Sequence, residues 1–170
     1  MFLAACEHEF KDVADEYDIE FLQRTTKSAM SEHSYEILGY LREFSGQRVC
    51  LLSGCNPFLK AETVFEFISK SKNHKSFAMV KDSVDVIFDC DNRIINKDIG
   101  CFNSKERKPN HIISNSGYVF DIDSFFTRGV IWDYTNDNPA LFTIDCIEAV
   151  DIDTELDFAI AQAIAQHKAI

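Results

Sequence analysis

Apolar residues recur along this chain at two spacings, and the switches between them mark its elements. Short continuous apolar runs predict buried strands over residues 2–6, 19–22, 49–52, 76–80, 84–89, 118–122 and 141–150. Apolar positions three and four apart predict helices between them. Phe10, Val13, Ala14 and Tyr17 mark one over 9–17, and Tyr35, Ile37, Leu38 and Leu41 another over 34–44, stopped by Ser45-Gly46. A helix over 61–69 and one over 154–167, apolar at Leu156, Phe158, Ile160, Ala161 and Ile164, complete the set. Residues 25–28 read as a polar loop, 123–128 as helix-like or irregular, and 136–139 as a turn. The polar stretch 90–111 holds the only dense basic group, Lys105-Glu106-Arg107-Lys108, and reads as a long excursion.

Strands alternating with helices in the first half predict an α/β chain with a mostly parallel, doubly wound sheet. Ligands of such sheets sit beyond the carboxyl ends of the strands. The loop 53–57 and the segment 151–153 both follow predicted strands and are expected to share that edge. With 170 residues, 46% of them hydrophobic, the chain is long enough to bury roughly 70% of its unfolded surface as one domain. The organisation expected is a single domain over 1–170 with a loop or dimerisation excursion around 90–117.

A formal net charge of -11 argues against a nucleic-acid partner, which needs Lys and Arg to displace counterions from phosphates. A small anionic substrate stays compatible with locally placed basic residues. The six cysteines form no CxxC pair and read as reduced core residues of a cytosolic protein. The five histidines lack ligand spacing with each other or with the cysteines, which argues against zinc. The first six residues are too short for a signal core and lack a basic start, and no apolar run approaches the about 18 residues of a membrane span. A cytoplasmic protein without a membrane partner is expected.

The chemistry-bearing stretch is Val150-Asp151-Ile152-Asp153-Thr154-Glu155-Leu156-Asp157. Carboxylates at i and i+2 of an extended segment share a face, and Mg²⁺ takes such oxygens while waters and substrate phosphates fill its shell. That suits phosphoryl or nucleotidyl transfer. The same residues also read as a helix start, with Asp153 or Thr154 as cap and Asp157 in a capping-box position, and the two readings are compatible. Leu52-Ser53-Gly54 lacks the G-x-S-x-G frame of a serine nucleophile, and nothing in the sequence supplies Cys55 with a base.

Taken in order, these segments resemble the acylneuraminate cytidylyltransferases, or CMP-sialic acid synthetases, over most of the chain. Ala5-Cys6-Glu7, the apolar stripe from Phe10 to Tyr17 and Arg24 are similar to the family's strand, acid, helix, strand and Arg. Leu52 to Leu59 resembles its LQxTSPL loop, Ser114 to Phe120 its NGAxYxF strand, and Val150 to Ala161 its xDIDxxxDxxxA terminus, the most specific of the four. The resemblance implies a three-layer, mostly parallel sheet of the nucleotide-diphospho-sugar transferase type. It also implies a reaction in which CTP and a nonulosonic, sialic-type acid give a CMP-sugar and pyrophosphate. By position, Asp151 and Asp153 would be the catalytic carboxylates holding Mg²⁺. Ser53, Asn56, Asn115, Arg107 and Lys108 would contact substrate, with Lys105 beside them in a basic, dimer-associated segment.

Three departures accompany the likeness. The family's first strand and its Gly-rich, basic triphosphate loop have no counterpart, so the fold is expected in an N-terminally truncated form. Ser53 stands where the family has Gln, with Cys55-Asn56 in place of Thr-Ser. Asn115 stands at the glycine of NGA. Loss of a central strand leaves unpaired edges, so a rearranged sheet or an intimate homo-oligomer is expected. Two functions follow: a cytidylyltransferase incomplete or inactive as this chain alone, or a non-catalytic binding or assembly module of the same descent.

Overall fold

A computed structural model describes residues 1–96, 103–135 and 137–168; the core reading of Cys101 and the turn position of Asn136 lie outside them. The chain divides into two compact units, one of Met1–Arg48 with Asp121–Ile131, the other of Val49–Phe120 with Trp132–Ile170.

In the first unit, β1 (Phe2–Ala5) and β2 (Glu20–Gln23) pair in parallel, with Leu3 opposite Phe21 and α1 (Phe10–Glu16) as their crossover. Residues 25–28 are not a loop but open α2 (Thr26–Met30), because the Thr25 hydroxyl accepts the Ser28 N–H at 3.1 Å as its cap. Arg24 closes this corner, donating through Nη2 to the Ser28 carbonyl at 2.9 Å and to that of Ile37 at 3.4 Å. The helix expected over 34–44 is broken into α3 (Ser34–Ile37) and a 3₁₀ turn, Gly39–Phe44. Gly39 follows the break, and glycine is the poorest helix residue after proline. From further along the chain, α5 (Ile122–Arg128) brings Phe125 to within 5.6 Å of the Tyr35 ring and ends on Gly129 at φ 77°.

The second unit holds a four-stranded sheet in the order β3 (Arg48–Leu52), β5 (Asn110–Asp121), β4 (Phe77–Ser83), β6 (Ala140–Thr143). β4 runs parallel to β6 and antiparallel to β5. The strands thus form two sheets, a parallel pair in the first unit and a mixed sheet of four in the second. Its core joins Phe77, Met79, Val119 and Phe142 to Phe67 of α4 (Ala61–Ser71), whose ring stacks on Phe77 at 5.0 Å.

Three strand boundaries differ from the sequence pattern. β5 begins at Asn110, eight residues before the apolar run that signals it, because its first half carries only Ile112 and Ile113 among polar residues and offers no apolar run to mark a strand. Residues 84–89 form no strand; among the described residues they pair through a bridge from Phe88 to Ile94. β6 stops at Thr143 rather than continuing to 150, since Asp145 turns the chain by accepting the Ile147 N–H at 2.8 Å. The cysteines also depart from expectation. All five described are free, yet Cys55, Cys90 and Cys146 are exposed rather than in the core.

Candidate functional site

Residues 150–153 have no regular secondary structure and lead into α6 (Glu155–Lys168). The helix start follows the capping pattern. Thr154 Oγ1 accepts the Asp157 N–H at 3.3 Å, and the Asp157 carboxylate accepts the Thr154 N–H at 2.9 Å and the Thr154 hydroxyl at 2.7 Å. Those bonds hold the Asp157 carboxyl below its ordinary range, the Thr154 hydroxyl contributing most. Asp157 is therefore occupied by the helix, while Asp151 and Asp153 precede it.

Two hydrogen bonds dock the 53–57 loop onto this segment. Ile152 N–H donates to the Cys55 carbonyl at 3.0 Å, and Asn56 Nδ2 donates to the Val150 carbonyl at 2.9 Å. The loop is shaped locally, the Ser53 hydroxyl accepting the Cys55 N–H at 3.1 Å. Ser53 N–H donates to the Ser116 carbonyl at 3.1 Å, which ties the loop to β5 beside Asn115. Asn115 takes φ 58°, a left-handed conformation that glycine adopts freely and Asn tolerates, so the backbone shape suited to glycine is kept here without one. Its exposed side chain accepts the Tyr118 hydroxyl at 2.6 Å.

Burial raises the Asp151 carboxyl, and the like charges of Asp153 and Asp157 raise it further; the Ile152 N–H and Lys81 act the other way. Tyr118 is raised by burial and then by the charge of Asp151, which places it in the same neighbourhood. Ser53, Asn56, Asn115, Asp151 and Asp153 therefore gather in one region of the second unit. Arg107 and Lys108 are placed differently. Arg107 Nη1 donates to the Val84 carbonyl at 3.1 Å, at the base of the 84–96 excursion, and Lys108 is exposed. Lys81 and Tyr118 are neighbours of Asp151 that the sequence reading did not single out. The available signals were a lysine closing the apolar run Phe77-Ala78-Met79-Val80 and the tyrosine within the NGAxYxF-like strand.

The donor set suits a hard cation. Asp151 Oδ1 and Asn56 Oδ1 are buried side-chain oxygens without a hydrogen-bond partner among the described residues, and such acceptors are costly to leave unsatisfied. Among the described residues no three His, Cys, Asp or Glu side chains converge on a metal position. Two carboxylates are instead the sparse set Mg²⁺ uses when substrate and water complete its shell.

No protein-family model matches this chain, and no curated protein matches it. Among solved structures it is similar to the 4-diphosphocytidyl-2C-methyl-D-erythritol synthase from Anaerococcus prevotii DSM 20548. The TM-score is 0.64 at 17% identity, over 93% of this chain and 76% of that one. It is also similar to the CMP:2-keto-3-deoxy-manno-octonic acid synthetase complexed with CTP, with TM-score 0.61 and 9% identity, over 98% of this chain and 80% of that one. The chain has the α/β fold of these proteins, the nucleotide-diphospho-sugar transferase type read from the sequence. Among the described residues no helix is long and apolar enough to cross a membrane.

Proposed function

We propose that this chain is a nucleotidyltransferase of the cytidylyltransferase kind, which joins the CMP moiety of CTP to a nonulosonic, sialic-type acid and releases pyrophosphate. The observation that carries the reading is the buried Asp151 oxygen, unpartnered among the described residues, next to Asp153, in a fold shared with a diphosphocytidyl synthase and a CTP-bound CMP-sugar synthetase. Asp151 and Asp153 would hold Mg²⁺, which when bound neutralises charge on the nucleotide phosphates. The sugar hydroxyl oxygen bonds to the α-phosphorus, the bond from that phosphorus to the bridging oxygen breaks, and pyrophosphate leaves as the hydroxyl proton passes to solvent. Ser53, Asn56 and Asn115 line the approach to the carboxylates. A role for Arg107 and Lys108 at the sugar carboxylate rests on the resemblance and on the chemistry of a guanidinium, since Arg107 Nη1 is held by the Val84 carbonyl. The working unit is a homo-oligomer.

Calorimetric titration of CTP with and without Mg²⁺ tests this reading. The expected result is Mg²⁺-dependent binding that disappears in the Asp151→Asn, Asp153→Asn double variant; absence of binding under every condition rejects it for this chain alone.

One observation favours a second reading, a non-catalytic binding or assembly module on the same scaffold. Ser53 is short and its oxygen is already held by the Cys55 N–H, so it reaches less far than the glutamine the resemblance implies. Pyrophosphate release from CTP, in the presence of nonulosonic acids, rejects this alternative.

A further inference from the structure

We infer that Asn56 is a cation ligand, its Oδ1 coordinating the same hard divalent ion as Asp151 Oδ1. The inference rests on the reading of Asp151 as a cation-holding carboxylate and reassigns Asn56 from substrate contact to metal site.

The surroundings of Asn56 fix which amide atom is which. Asn56 is only 7% exposed, and one end of its amide lies 2.9 Å from the Val150 carbonyl. A carbonyl only accepts, so that end is the NH₂ group and the other end is the oxygen. This oxygen is buried with no donor among the described residues. The second such oxygen belongs to Asp151, whose own peptide begins at the carbonyl that Asn56 grips. The Ile152 N–H bond to the Cys55 carbonyl, at 3.0 Å, fixes the two backbones on the other side of Asp151.

Two buried acceptors on segments that paired anchors hold side by side call for a shared positive partner. Amide and carboxylate oxygens are both ligands of Mg²⁺ and Mn²⁺, and neither selects a soft metal. Lys81 acts on Asp151 through its charge and gives no hydrogen bond to either oxygen. The alternative is a bridging water that donates to both, which would leave cation affinity independent of Asn56.

Mn²⁺ alone, followed as free ion by electron paramagnetic resonance, is the probe, and no nucleotide or turnover is needed. The chain is expected to bind Mn²⁺ and Asp151→Asn to lose it. Asn56→Ala should weaken binding about tenfold or more, the usual scale for groups supporting a metal site. Asn56→Asp retains an oxygen, gives up the Val150 bond and adds charge, so it should bind roughly threefold tighter or more, since ligand charge sets affinity at oxygen sites. Cys55→Asp adds the same charge on the exposed neighbour and should tighten binding less.

A purely structural Asn56 predicts equal weakening in the Ala and Asp variants, because both lose the Val150 bond; that result, or wild-type affinity in both, overturns the assignment while leaving Asp151 standing. Failure of the unmodified chain to bind Mn²⁺ overturns both. Thermal melts accompany each variant. Should Asn56→Ala fail to fold, Asn56→Asp decides alone: tightening beyond Cys55→Asp supports the inference, and none overturns it.

Discussion

Glu148, 88 positions beyond Lys60, accepts the Lys60 backbone N–H at 3.2 Å and the Lys60 ammonium at 2.8 Å. It thereby satisfies the start of α4, whose own cap residue offers no side-chain bond. Burial pushes the Glu148 carboxyl up, but the Lys60 ammonium, the Thr63 hydroxyl and the Lys60 N–H outweigh it and leave the group below its ordinary range.

The sign of the pH dependence follows. A carboxyl depressed on folding stabilises fully above its unfolded value, about 4.3 for Glu, and loses that contribution as pH falls through the folded value. Glu148→Gln should lower stability at pH 7 by about 1–3 kcal/mol, the cost of disrupting a buried charged network. It should also flatten the acid limb below the unfolded value. Urea melts of both proteins between pH 7 and pH 3 check this.

Phe67→Ala should be among the most damaging changes in the second unit. Phe67 is fully buried, stacks on Phe77 and meets Phe142 edge-on at 5.6 Å. Removing it opens a cavity worth about 3–5 kcal/mol, read from the urea midpoint.

Gly129→Ala and Gly117→Ala should separate clearly. At Gly129 the backbone is left-handed, φ 77°, and an added Cβ would lie 2.7 Å from a Tyr35 ring carbon. The left-handed backbone alone costs about 1–2 kcal/mol for a residue with a Cβ, and the ring must move besides. At Gly117 the nearest atoms are 3.0 and 3.1 Å away and belong to the flexible side chains of Met79 and Leu52. Melting of the two variants should show the larger loss at Gly129.

Cysteine reactivity gives a fourth expectation. Burial raises the Cys50 thiol to about 11, so at pH 8 it holds little thiolate, the nucleophilic form. Iodoacetamide in the native state should label exposed Cys55, Cys90 and Cys146 and spare Cys50 until urea is added. Peptide mass spectrometry distinguishes the sites.

The sequence foretold the elements whose local signals and packing agree. β1, α1, β2, β3 and α4 lie where short apolar runs and three-to-four spacing put them, and the Thr154 to Asp157 cap was legible as a motif. Two of the failures share a cause, which is a polar side chain acting on backbone a few residues away. Thr25 starts a helix inside what composition marks as a loop, and Asp145 ends a strand inside what hydropathy marks as continuous. The docking of Cys55 and Asn56 on residues 150–152 joins positions some 95 residues apart. Only the general rule about strand ends hinted at it. Hydropathy did not mark Lys81 and Tyr118 as site neighbours, because their proximity to Asp151 arises from strand register, which hydropathy does not encode.

The first unit is assembled from two pieces of chain separated by residues 49–120. Its second piece supplies buried Ile122 and Phe125, the Asp123 carboxylate that accepts the Ser45 hydroxyl and Gly46 N–H, and the Ile122 N–H bonded to the Gln47 carbonyl. During synthesis on the ribosome, β1, α1 and β2 emerge before α5 and wait for it before their unit is whole. The loop to be closed spans the entire first part of the other unit, an entropic cost that grows slowly with length but delays the contact in time. A fragment ending at residue 48 should remain unfolded, and one ending at 131 is the earliest that can complete this unit.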